Sequence, residues 1–259
     1  MSGFALGERM KKLALGALIC AALNRNSPIA VAQKANAAAS ATGPAAAADR
    51  ELTGTSADDI VRKLVQENQR RADQLKGYTE QREYTVVYEG ITSLRASMTV
   101  QVQYEAPSEK HFDILSQNGP QLLVDRVLKK LVASEQEAAK NPSQTALTPA
   151  NYSFSLLGTQ VVAGRKCYLL HVEPRVASEF LYKGTVSVDA QDYAVVRIEA
   201  EPVQNPSFWI GKTVIHHTYS KTGPFWLPQH DETQGNVSIG GTAVLTIDYG
   251  PYHVEAVSR

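Results

Sequence analysis

The chain has 259 residues, 43% hydrophobic and 20% charged, and its 26 Lys and Arg are balanced by 26 Asp and Glu. This profile fits one globular domain of roughly two hundred residues with a full core, and the lack of a basic cluster with interleaved aromatics argues against a nucleic-acid role. No segment approaches the roughly 20 consecutive apolar residues that a membrane-spanning helix needs.

In chain order, Arg9, Lys11 and Lys12 precede an apolar run over 13–23, a turn-forming stretch from Asn24 to Pro28, and the small-residue segment Ala30-Val31-Ala32. Basic, apolar and small-residue regions in that order read as a secretory signal peptide over 1–32. Cys20 offers an alternative, because a Cys closing a signal core can carry a lipid anchor. The preceding residue is then normally Gly, Ala or Ser, and here it is the bulky Ile19. If Cys20 leaves with the signal, Cys167 remains as a single thiol and no intramolecular disulfide can form. Residues 33–56 are rich in Ala, Ser, Thr and Gly and hold too little large apolar surface to offset the entropy of ordering. They read as a flexible tether before a domain over 57–259.

Ser56 followed by Asp59 predicts a helix start. Ile60, Val61, Leu64, Val65, Ala72 and Leu75 then recur at helical spacing, with Arg62, Lys63, Glu67, Arg70 and Arg71 on the opposite face. An amphipathic helix of about five turns follows, with Gly77 expected to cap its end. Beyond it the period changes to two. Tyr84, Val86 and Tyr88 share a face, as do Met98, Val100, Val102 and Tyr104, opposed by Ser97, Thr99, Gln101 and Gln103; these are half-buried strands. A third strand is expected over 110–115, before the turn signal Asn118-Gly119-Pro120.

From Gln121 to Lys140 the pattern is helical again, and its N-terminal half crowds Leu122, Leu123, Val124, Val127, Leu128, Leu131 and Val132 beside few charges. After Asn151 nearly everything alternates, in segments at 152–157, 160–162, 165–173, 182–189, 194–201, 212–220, 225–233 and 237–249. Short turns between them make neighbours antiparallel. The expected architecture is mainly β, in the α+β sense: a curved antiparallel sheet of nine to eleven strands, curling into an incomplete barrel and covered by two helices.

No catalytic signature emerges. Ser238 in Gly235-Asn-Val-Ser-Ile-Gly240 is one residue out of register with a nucleophile elbow, and no phosphate loop or zinc helix is present. His216, His217, His230, Asp231 and Glu232 crowd two segments, but zinc needs three or four converging ligands and adjacent strand residues point to opposite faces. Cys167 shares a face with Leu169 and reads as a small core residue. Phe208-Trp209 and Phe225-Trp226 suit either plugs of a barrel end or a cavity mouth. The protein is expected not to be an enzyme, and no cofactor is indicated.

Two helices can seal only part of so long an apolar face, so a concave sheet leaves either a filled core or a hollow for an apolar guest. By alternation, the hollow would be lined by Val86, Tyr88, Met98, Val100, Val102 and Tyr104 from the early strands. Leu123, Val127, Leu128 and Leu131 would face them from the second helix, acting as a lid.

The stretches Gly164-Arg-Lys-Cys-Tyr-Leu-Leu-His-Val-Glu-Pro174, Tyr182-Lys-Gly-Thr-Val-Ser-Val-Asp-Ala-Gln-Asp-Tyr-Ala-Val-Val-Arg-Ile-Glu199 and Gly223-Pro-Phe-Trp-Leu-Pro228 resemble outer-membrane lipoprotein-sorting proteins of the LolA-like superfamily, over roughly 57–250. The resemblance implies an incomplete β-barrel closed by helices, whose hollow takes acyl chains of lipoproteins or other amphiphiles in the periplasm. It also implies a monomer meeting inner- or outer-membrane protein partners, with outer-membrane anchoring if Cys20 were lipidated. The rival reading is a protein-interaction or regulatory module on the same fold that holds no lipid.

Overall fold

The computed structural model describes residues 55–257 apart from 141, 179, 205–209 and 239. The signal peptide, Cys20, nearly all of the Ala-rich tether and Phe208-Trp209 lie outside the described residues.

Helix α1, Ala57–Gln74, begins as its sequence dictates. The Ser56 hydroxyl accepts from the Asp59 N–H and the Asp59 carboxylate accepts from the Ser56 N–H, a reciprocal capping box that also sets negative charge at the positive end of the helix. Its other end departs from expectation. Leu75 is already extended (φ −82°, ψ 119°), and the chain passes straight into β1, Leu75–Glu89. Gly77 therefore caps nothing. It sits in β1, where a Cβ would come within 2.6 Å of the Tyr104 carbonyl oxygen, so its role is close backbone approach.

Strands β2, Ser93–Glu105, and β3, Glu109–Asn118, complete an antiparallel meander. Helix α2 spans 121–140 but is not uniform: an α turn at Gln121–Leu123 and a π turn at Val124–Leu128 lead into regular helix at Lys129–Lys140. There follow β4 (Tyr152–Val162), β5 (Arg165–Pro174), β6 (Tyr182–Asp189), β7 (Val195–Pro202), β8 (Ile210–Thr222), β9 (Phe225–Val237), β10 (Thr242–Tyr249) and β11 (His253–Ala256). The segments expected at 152–157 and 160–162 are one strand, carried through a register shift at Gly158, whose φ of +148° suits glycine. The short β11 was not anticipated.

All pairings are antiparallel, and the strands form one sheet in the order β3-β2-β1-β10-β9-β8-β7-β6-β5-β4, with β11 beside the start of β1. Its two edges, β3 and β4, are not paired with each other, so the barrel is incomplete as the alternation and turns implied. The β1–β10 pair, from Arg82↔Tyr249 to Glu89↔Thr242, joins the N-terminal meander to the C-terminal one. Among the described residues, no helix is long and apolar enough to cross a membrane.

Candidate functional site

Residues paired directly across neighbouring strands share a face of the sheet. One such row runs Ala96, Val86, Leu245, Thr233, Ile215, Ala200, Gly184, Val172 and Phe154. The next runs Met98, Tyr84, Ile247, Asp231, His217, Ile198, Val186, Leu170 and Leu156. Both helices cover this face. Helix α2 packs Leu123, Val127, Leu128 and Leu131 with Val86, Met98 and Leu245. Helix α1 packs Ile60, Val61 and Leu64 with Val172, Leu170, Val186 and Ile198. The covered face thus has two apolar lobes, one under each helix. Phe225 belongs to the α2 lobe and its neighbour Trp226 to the α1 lobe, both buried.

The expected lining residues come together. Val86, Tyr88, Met98, Val100, Val102, Leu123, Val127, Leu128 and Leu131 are all buried in the α2 lobe, with Tyr104 packed at its margin. The Tyr104 ring stacks on Tyr78 at 5.1 Å, and burial beside it pushes the Tyr104 phenol up to about 12. Helix α2 is seated on the sheet, its π turn supplying Val124, Val127 and Leu128 to the contact. Single π turns inside α-helices occur often at functional sites.

A polar spine that the alternation reading missed starts within the α2 lobe. Arg82 on β1 is fully buried. Its Nη1 donates to Glu135 Oε1 of α2 at 2.5 Å, and its Nε donates to Glu80. Tyr84 Oη donates to Glu135 Oε2 at 3.1 Å, and Lys110 Nζ to Glu135 Oε1 at 3.0 Å. Two cations thus face two carboxylates among buried side chains. Burial opposes the charge on Arg82, but Glu135 and Glu80 outweigh it and hold the guanidinium firmly protonated. Burial pushes the Glu80 carboxyl up, against the pull of Arg82 and Lys110. Arg82 also lies over the Tyr249 ring at 4.6 Å. Tyr249 Oη donates to Asp231 Oδ2 at 2.6 Å, and Asp231 Oδ1 meets His217 Nδ1 at 2.6 Å. The spine therefore runs from α2 through β1, β10 and β9 to β8. A signal for part of it existed: Glu80 and Arg82 stand in phase with Tyr84 and Val86, which puts both charges on the apolar face.

The remaining side chains singled out from the sequence fall apart in space. His217 and Asp231 face inward, while His216 lies 4.0 Å from Glu199 and His230 2.6 Å from Asp248 on the other face. Among the described residues, no three His, Cys, Asp or Glu side chains converge as metal ligands. Cys167 is buried, and burial pushes its thiol up. Ser238 is exposed in the turn after β9.

No sequence-family profile and no curated protein matches the chain. Solved structures do. A DUF1329 family protein from Desulfovibrio piger is similar at 9% identity and a TM-score of 0.39, covering 77% of this chain and 93% of that one. A putative outer membrane lipoprotein-sorting protein domain from Vibrio parahaemolyticus is similar at 11% identity and a TM-score of 0.40, covering 78% and 95%. For a LolA superfamily protein from Nitrosomonas europaea the values are 11%, 0.35, 79% and 96%. With TM-scores of 0.35–0.40 and identities of 9–11%, these likenesses assign the chain to no family.

Proposed function

We infer that the chain is a periplasmic, non-enzymatic binding protein that buries acyl chains of a lipoprotein or another amphiphile between α2 and the inner face of β1, β2 and β10. One observation carries this reading: among the described residues that apolar face is sealed by a helix, distorted by a π turn and fastened through the polar side chain of Glu135, instead of by a second sheet. Magnitudes make an exchange feasible. Lifting Leu123, Val127, Leu128 and Leu131 away would cost about 1.5–3 kcal/mol each, roughly 6–12 in all. A chain of roughly fourteen methylenes, at about 0.8 kcal/mol each, offsets the apolar part of that cost. An empty lid stays shut, and a guest can replace its contacts. The seated α2 is, on this reading, the closed state.

Native mass spectrometry of the purified protein, together with competition by a fluorescent fatty acid, tests the reading. Co-purifying lipid, or saturable probe binding that weakens when Val100 is changed to Asp, is the expected result. A chain that emerges empty and ignores every acyl probe would sink the reading and favour the protein-interaction module.

A further inference from the structure

A second concavity lies at the other helix, away from the α2 lobe. Helix α1, the β6–β7 turn and the β8–β9 turn enclose a polar cleft of about 420 Å³, lined among others by Lys63, Glu67, Arg70, Arg71, Asp192 and Lys221. Four cations there meet two carboxylates, and both carboxylates are engaged. Glu67 pairs with Arg70 at 2.6 Å. Asp192 Oδ2 accepts from Lys221 Nζ at 2.6 Å, Trp226 Nε1 at 3.0 Å and Arg165 Nη2 at 3.2 Å. Arg165 is itself held by Asp189.

Two positive charges are left over. Lys63 Nζ donates to Tyr193 Oη at 3.1 Å and has no carboxylate in contact among the described residues. Arg71 is 3% exposed, although its place in the helical pattern put it on the solvent face. Among the described residues its guanidinium donates to neutral oxygens, the Asp192 and Tyr193 carbonyls at 2.9 Å each and Asn68 Oδ1 at 2.6 Å. Its Nε has no partner among the described residues. A buried guanidinium with no carboxylate in hydrogen-bond contact is costly, and burial pulls its pKa down against the opposing pull of Glu67, Asp192 and Asp189.

We propose that this cleft is a phosphate site, taking a phosphomonoester whose two charges match the surplus from Lys63 and Arg71. Arginine forks and lysine point charges are the usual partners of such oxyanions. The ligand is either a soluble phosphate ester or the headgroup of a lipid. The site does not depend on acyl burial under α2, because a soluble phosphate can fill it alone.

Calorimetric titration with glycerol 3-phosphate, and flotation with phosphatidylcholine vesicles with and without phosphatidic acid, distinguish the two sources. Lys63 and Arg70 are both exposed, so the double variant Lys63→Gln/Arg70→Gln keeps the fold while removing cations from the rim. We expect roughly tenfold weaker binding in the double variant, the loss of about one charge-assisted contact. Soluble ester binding with that loss assigns the site to free phosphates, and vesicle binding alone with the same loss assigns it to a headgroup. Binding that the double variant leaves unchanged, or no binding of either probe by the unaltered protein, overturns the proposal.

Discussion

Arg82 is the central cation of the buried polar network. It pairs with both Glu80 and Glu135, so Arg82→Ala takes their shared cation away from two buried carboxylates. Breaking a buried pair from one side costs about 3–5 kcal/mol, and urea denaturation at neutral pH should show a loss of that size. Asp189 governs the acid limb. Burial raises its carboxyl, but hydrogen bonds from Arg165 and from the Asp192 and Gln191 N–H groups outweigh it and hold the pKa low. A lowered carboxyl stabilises the fold above its unfolded value of about 3.9 and loses that contribution as pH falls through the folded value. Asp189→Asn should therefore be less stable than the native chain at pH 7, and the gap should narrow at pH 3 in urea midpoints. Glu80 runs the other way: its raised carboxyl contributes most in acid and less once the pH rises past its unfolded value.

At the scale of elements, α2 and β6 make separate claims. Leu131 is fully buried where α2 meets the sheet, so Leu131→Ala should cost about 2–5 kcal/mol, measurable as a fall in the urea midpoint. Glu135→Gln removes charge from the contact that fastens α2 while keeping its shape. Stopped-flow entry of a fluorescent fatty acid should be faster in that variant, and an unchanged rate would separate the polar spine from lid opening. In β6, Gly184 has φ +154°, and a Cβ would come within 2.3 Å of the Glu199 carbonyl oxygen. Gly184→Ala should destabilise by about 1–3 kcal/mol, seen as a lower thermal midpoint with the strand otherwise unchanged.

Across the whole molecule, one continuous sheet carries two lobes and a polar cleft, each served by different segments. Hydrogen exchange reads them separately. An acyl ligand should alter exchange in 121–140 and in β1 and β2, whereas glycerol 3-phosphate should protect 63–71 and the turn at 191–193. A single ligand altering both sets equally would show that the lobes act as one body through β8 to β10.

How much of this was written in the amino-acid order follows from the range of the forces involved. Capping at Ser56 and Asp59, the switch from a helical to a two-residue period, and the apolar sides of β1, β2 and α2 are local patterns. A reader of the sequence could place the ten residues expected to line a hollow on their elements, and even Glu80 and Arg82 were in phase with the apolar face. Whether a charge ends in water or in the interior is settled by what distant chain lands on it. Arg82 meets a residue 53 positions away, and Arg71 is covered by a turn 121 positions away. Gly77 read as a helix cap until Tyr104 of the neighbouring strand came against it. Local periodicity determined the elements and their faces; only tertiary packing, by removing water from particular side chains, decided where the polar spine and the phosphate cleft would form.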